Sequence, residues 1–230
     1  MILITGDIHG SIDVGKLTTK RFSLQKELTK KDYLIICGDF GGVWFGEQKD
    51  RFWLDWHNNK NYTTLFIDGN HENHNLLNEY PIEQWKGGKV HKIRPSVYHL
   101  MRGQIFTIEG KKFFAFGGAL STDKKDRREN ISWWASEEAS IEEIKEAKEN
   151  LQREDNIIDY VITHTVSKGF RENYLNGLRD EVCEESVTEE FLQYIENNVN
   201  YKYWYSGHFH IDKNFQDEKH YVLYNDIISI

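Results

Sequence analysis

The 230-residue chain is poor in residues that cross-link or stiffen a polypeptide, with two cysteines, Cys37 and Cys183, and two prolines, Pro81 and Pro95. Nothing in that count suggests a disulfide framework, and it fits a reducing cytosol. Cys37 closes the apolar run Tyr33-Leu34-Ile35-Ile36-Cys37, so a buried thiol at a strand end is expected. No apolar run approaches the roughly 20 residues that span a bilayer, which leaves no membrane partner to expect. Met1-Ile2-Leu3-Ile4 leads straight into a polar motif rather than a secretory leader, and the expected location is the cytoplasm. Positive charge is scarce too: 29 Lys and Arg against 37 Asp and Glu leave a net charge of −8 with His neutral. Such a chain gains nothing from phosphate neutralisation on long duplex nucleic acid, so that partner is not expected. A bound metal would add local positive charge that this sum omits.

What is present describes a globular chain, with 39% hydrophobic and 29% charged residues. Its length suits one domain over residues 1–230. Aromatics reach 14%, including seven Trp, and most are expected to fill an α/β core. Short apolar runs recur, each cut off by polar residues. Ile2–Thr5 ends at Gly6-Asp7-Ile8-His9-Gly10, 33–37 at Gly38-Asp39, and 64–67 at Asp68-Gly69-Asn70-His71-Glu72. Helices are expected between them, over 16–28 and 50–58, which indicates βαβ units. Val97–Leu100, Gln104–Ile108 and 112–116 read as strands joined by hairpins at Arg102-Gly103 and Gly110-Lys111. A charged irregular stretch, 121–130, precedes Trp133-Trp134. An amphipathic helix is expected over 137–153, with Ile141, Ile144, Ala147 and Leu151 apolar and Ser136 as N-cap. Two more runs, 157–162 and 201–205, end at Thr163-His164 and Ser206-Gly207-His208-Phe209-His210, with a helix over 188–197 between them and a last strand over 219–224.

Five strand ends therefore carry metal-capable side chains: Asp7 and His9; Asp39; Asn70 and His71; His164; His208 and His210. In open α/β sheets such ends form the rim where ligands bind. Oxygen and imidazole donors without thiolates suit Mn²⁺, Fe, Zn²⁺ or Co²⁺ rather than a structural zinc. Eight donors are too many for one transition metal and about right for two sharing a carboxylate. A lone strand-end His is more often a structural residue, as is an isolated Asp-x-His; five clusters, each directly after an apolar run, are much harder to dismiss. The remaining histidines, His57, His74, His91, His99 and His220, have no comparable setting and read as surface or core, His74 being nearest to a cluster.

The series Gly6-Asp7-Ile8-His9-Gly10, Gly38-Asp39, Gly69-Asn70-His71-Glu72, Thr163-His164 and Gly207-His208-Phe209-His210 resembles the ordered motifs of the calcineurin-like metallophosphoesterases. The resemblance implies a four-layered α/β/β/α sandwich with a dinuclear metal site at the strand ends. It also implies a phosphoesterase that hydrolyses phosphate mono- or diesters through a metal-bridging hydroxide. Carried over by position, Asp7, His9 and His210 would hold one divalent ion, Asn70, His164 and His208 the other, and Asp39 both. Mn is the first expectation, with Fe, Zn, Co, Mg or Ni as alternatives. His71 matches the family's outer-sphere histidine, which contacts phosphate and protonates the leaving group; Glu72 reads as structural.

The protein serine/threonine phosphatase branch continues its second motif with Asp and Arg where this chain has Gly42 and Val43. That makes protein phosphatase activity the alternative, and the chain looks closer to compact bacterial and phage enzymes acting on a small phosphorylated substrate such as a nucleotide. A further alternative is a scaffold that kept the fold but lost catalysis; every expected ligand position is nevertheless filled. Arg127, Arg128 and Trp133 are candidate substrate contacts, weighed against a solvated loop anchored by its Trp pair, and Phe40 and Trp44 are candidate pocket walls.

Overall fold

A computed structural model describes residues 1–177 and 185–230, so Cys183 lies outside the described residues. The strands are β1 (Ile2–Thr5), β2 (Tyr33–Ile36), β3 (Thr63–Phe66), β4 (Ile82–Trp85), β5 (Gly88–Arg94), β6 (Val97–Leu100), β7 (Gln104–Ile108), β8 (Lys111–Phe116), β9 (Ile157–Thr163), β10 (Asn200–Ser206), β11 (Lys213–Phe215), β12 (His220–Val222) and β13 (Ile227–Ser229). The α-helices are α1 (Glu47–Asn58), α2 (His74–Leu77), α3 (Ile141–Arg153), α4 (Lys168–Tyr174) and α5 (Val187–Asn198).

Two sheets result, ordered β13-β1-β2-β3-β6-β5-β4 and β11-β12-β10-β9-β8-β7. The β1–β2–β3 and β8–β9–β10 pairings are parallel, so their carboxyl ends lie together. Because successive side chains on a strand point to opposite faces, a run apolar at every position must be covered on both. Ile2, Ile4, Ile35 and Cys37 meet Phe113, Ala115, Ile162 and Tyr205 between the sheets. Their neighbours Leu3, Leu34 and Ile36 face outward against Leu54 of α1, Leu17 and Phe22. On the far side Phe114, Phe116 and Val161 pack against Ala147 and Leu151 of α3 and Phe191, Leu192 and Ile195 of α5. This is the expected α/β/β/α order of layers. Cys37 is fully buried, and burial pushes its thiol pKa up. No helix of the described residues is long and apolar enough to cross a membrane.

Several local expectations fail for identifiable reasons. Over 16–28 there is no α-helix, only 3-10 turns at Val14–Leu17 and Ser23–Lys26. Lys16 is drawn inward to the carbonyls of Gly6 (3.2 Å), Asp7 (2.6 Å) and Tyr224. Gln25 Nε2 also donates to the Leu17 and Phe22 carbonyls, which a helix would have paired with backbone N–H groups. Arg102-Gly103 is no hairpin but the passage from one sheet to the other, because β6 pairs with β3 and β5 and leaves β7 to pair with β8. The α3 N-cap is Ser140 rather than Ser136, in a capping box with Glu143, and Ile141 is 79% exposed. The β4–β5 hairpin, unforeseen, turns on Lys86 (φ 49°) and Gly87 (φ 101°), the paired positive φ that a two-residue primed turn requires.

Candidate active site

The five predicted strand ends meet at one rim, with donors from both sheets. Asp39 lies at the middle and is fully buried. Its Oδ2 stands 3.1 Å from His9 Nε2, its Oδ1 3.2 Å from His164 Nε2, and Oδ1 also accepts the His71 backbone N–H at 2.7 Å. Burial pushes this carboxyl up, but His164 and His9 more than offset that and hold it well below the usual range.

On one side of Asp39 gather Asp7, His9 and His210, whose ligand atoms all lie within 4.8 Å of one another. Asp7 Oδ1 accepts the His208 backbone N–H at 2.9 Å. Asp7 Oδ2 is buried without a hydrogen-bond partner, although His210 Nε2 stands 3.1 Å away. His9 Nδ1 donates to Asp13 at 2.7 Å, which turns Nε2 toward the site. Burial opposes charge on His9, yet Asp39 and Asp7 raise its pKa to about 9. Tyr224 donates to Asp13 at 2.9 Å and stacks on His210 at 4.6 Å, so one phenol braces two site residues.

On the other side, His164 Nε2 lies 3.2 Å from each of Asp39 Oδ1, Asn70 Oδ1 and His208 Nδ1. A single ring N–H cannot serve three acceptors. His164 Nδ1 already donates to the Cys37 carbonyl at 2.8 Å. The Asn70 amide is oriented from behind: its Nδ2 donates to Ser121 Oγ at 3.1 Å, and Ser121 is held by Glu137 through two bonds of 2.7 Å. An orphaned carboxylate oxygen on one side and a knot of acceptors on the other are what oxygen and nitrogen donors look like when arranged for cations.

The backbone is bent to achieve this. His9, Asp39, His208 and His210 have φ of 47°, 46°, 69° and 53°, a left-handed region that costs a non-glycine residue on the order of 1 kcal/mol or more and clusters at functional sites. Two glycines make the close approach possible. A Cβ on Gly207 would lie 2.2 Å from Asp7 Oδ1, and one on Gly69 2.1 Å from Asp39 Oδ1.

His71 sits at the rim, its ring 5.3 Å from that of His9. Burial lowers its pKa to about 4, with Arg127 adding to the effect. The Arg127 guanidinium lies 3.1 and 3.3 Å from the two His71 ring nitrogens and is held by Asp123 at 2.8 Å. Arg128 is exposed, and half-buried Trp133 lies under Lys124. Glu72 is buried and accepts the Gly41 N–H at 3.1 Å, tying down the turn after β2. Phe40 lines no pocket wall; it is stacked on Phe66 in the core at 4.2 Å. Trp44 does line a cavity of about 500 Å³ that opens beside His9 and His71. The other five histidines are all buried in the core, and His74 faces Asp68 at 4.0 Å, away from the donor cluster. The sequence left Asp13, Ser121, Glu137 and Tyr224 unremarked; only Asp13, one helical turn beyond His9, had a local signal.

A two-sheet sandwich thus has parallel strand ends that deliver carboxylates, an amide and imidazoles, all candidate metal donors, to one rim. The chain belongs to the calcineurin-like phosphoesterase family, whose family model matches residues 1–212. It is similar to the lariat debranching enzyme of Schizosaccharomyces pombe, 23% identical over 235 residues, 90% of this chain and 47% of the relative. It is also similar to lariat debranching enzyme A of Xenopus laevis, 28% identical over 136 residues, 53% of this chain and 24% of that one. The chain thus spans about half or less of the length of these curated relatives. Among solved structures, the phosphopantetheinyl hydrolase of Mycobacterium tuberculosis aligns over 97% of this chain and 89% of its own, at 15% identity and a TM-score of 0.44.

Proposed function

We propose that the chain is a dinuclear metal-dependent phosphoesterase acting on small phosphorylated substrates, folded as one domain and working in the cytoplasm. The observation that carries this reading is the convergence of six side chains from both sheets, three on either side of Asp39. Asp7, His9 and His210 would hold one divalent cation, Asn70, His164 and His208 the second, and Asp39 would serve both. Mn²⁺ fits this oxygen and nitrogen set, as would Fe, Zn²⁺, Co²⁺, Mg²⁺ or Ni²⁺. When bound, such a pair supplies an acidified water and offsets charge on the phosphoryl oxygens.

The chain's own groups do the rest. Asp13 and the Cys37 carbonyl fix the tautomers of His9 and His164, so that Nε2 of each faces the reacting centre. Ser121 and Glu137 fix the Asn70 amide with its oxygen inward. Arg127 meets phosphate at the rim. His71 passes a proton to the leaving oxygen once the phosphate's negative charge has raised its burial-depressed pKa. The protein phosphatase alternative is weaker: Val43, standing where that branch has its arginine, is a buried core residue.

The test is Mn²⁺-dependent cleavage of p-nitrophenyl phosphate against bis-p-nitrophenyl phosphate by metal-replete protein. Turnover of either supports the reading, and preference for the diester assigns phosphodiesterase activity. Turnover of neither returns the chain to the scaffold alternative.

A further inference from the structure

The cavity beside His9 and His71 is walled by Ile12, Trp44, Phe45, Trp53 and Lys49. Gly10, Gly41 and Gly42 also line it, where the two chain turns meet closely: a Cβ on Gly41 would lie 2.5 Å from the Gly10 nitrogen. The volume, about 500 Å³, falls within the range of small-molecule sites. The wall is also rigid. Buried Asp50 accepts backbone N–H bonds from Trp44 (2.7 Å), Phe45 (2.9 Å) and Gly46 (2.9 Å), and Asn73 Nδ2 donates to the Trp44 carbonyl at 2.9 Å. Trp44 meets buried Trp134 edge-on at 5.3 Å, which joins this wall to the loop carrying Arg127. Yet Phe45 and Ile12 remain 69% and 78% exposed, with Lys49 Nζ 5.4 Å over the Phe45 ring. Exposed apolar side chains beside the donor cluster, Phe45 among them on a turn clamped by one carboxylate, call for an occupant.

We infer that this cavity is the leaving-group subsite and takes the nucleobase of a nucleotide substrate. The inference rests on the phosphoesterase reading and adds its substrate class. Three aromatic rings and a glycine-lined stretch of backbone suit a flat ring system, since stacking on aromatic side chains accepts any base through its π-face. His9 and His71 line the cavity and also belong to the donor cluster, so the two adjoin. A substrate whose phosphorus faces the donors therefore extends its ester substituent along Trp44 and Phe45.

The experiment has two arms. With metal-replete protein, kcat/KM is measured for adenosine and thymidine monophosphates and for glycerol and hexyl phosphates. A nucleotide-to-glycerol-phosphate ratio well above one is expected. Trp44→Ala and Phe45→Ala should each lower that ratio about 5- to 100-fold, the range of one base–aromatic stack. Trp44→Phe, which keeps a ring, should restore most of it. With metal-free protein of the same 230 residues, millimolar adenosine should quench tryptophan emission saturably, and Phe45→Ala should weaken that binding. The second arm stands even if no phosphate ester is cleaved, so loss of the enzyme reading and loss of the subsite are told apart. Equal ratios in wild type and variants, hexyl phosphate preferred over nucleotides, or no adenosine binding would each overturn the inference.

Discussion

His71 has its two ring nitrogens beside a guanidinium, an arrangement that keeps the imidazole neutral until a bound anion lets it take up a proton from water. Burial first, then Arg127, holds its pKa near 4. A phosphate bound between it and Arg127 adds a negative neighbour that offsets the guanidinium and favours the protonated ring. His71→Ala is therefore expected to retain both metals, measured by elemental analysis. It should lose about 10²–10⁴-fold in kcat on glycerol phosphate, whose poor leaving group needs the proton, and much less on p-nitrophenyl phosphate. Unchanged turnover of the alkyl ester would end the assignment. Arg127 and Arg128 are adjacent in sequence but differ in setting: the first is at the rim on His71, the second in solvent. Arg127→Ala should raise KM for small phosphate esters about tenfold, whereas Arg128→Ala should leave it within twofold; steady-state kinetics on both separates a clamp from a merely basic loop.

At the level of elements, the ends of the strands were legible and their supports were not. Asp7, Asp39, Asn70 and His164 each follow an apolar run directly, so alternation of apolar and polar segments located them without tertiary knowledge. Glu137 and Ser121 orient Asn70 from a loop about 50 or more residues downstream, and no period or spacing announces such a contact. The expected helix over 16–28 failed likewise, because the carbonyls that Lys16 and Gln25 take up lie outside any local window. Asp68, at the end of β3, shows how these elements are joined. Its carboxylate meets Arg102 in the sheet-to-sheet passage at 2.6 Å and His99 of β6 at 3.1 Å, while Arg102 also reaches the carbonyls of Ser136 and Glu137 ahead of α3. Burial pushes Asp68 up, but Arg102 and His99 prevail and hold it well below 3.8. A carboxyl depressed in the folded state stabilises above its unfolded value and loses that contribution as pH falls through its folded one. Asp68→Asn should thus cost about 3 kcal/mol at pH 7, where buried Arg102 keeps only the half-exposed Glu143, at 3.2 Å, as an ionic partner. The gap to wild type should narrow steadily below pH 4. Urea denaturation across that range measures both, and a constant gap would mean the pair contributes nothing electrostatic.

For the whole molecule, the donors come from two sheets whose interior is shared. Asp7, Asp39 and Asn70 follow β1, β2 and β3, whereas His164, His208 and His210 follow β9 and β10. Cations held there, as proposed, would link the sheets in the folded state only, so chelation should lower the melting temperature by several degrees and Mn²⁺ should restore it. A melting temperature indifferent to EDTA and Mn²⁺ would deny the link. On the proposed function, the same layout ties the apolar seam between the sheets to the metal donors at a distance. Ala115 is sealed there beside Ile35 and Ile162, one strand segment below Asp39 and His164. A bulkier residue at that position would wedge the two β layers apart like a shim under a hinge. The injury would surface as weakened ion capture at the rim, with every ligand still in its place in the sequence.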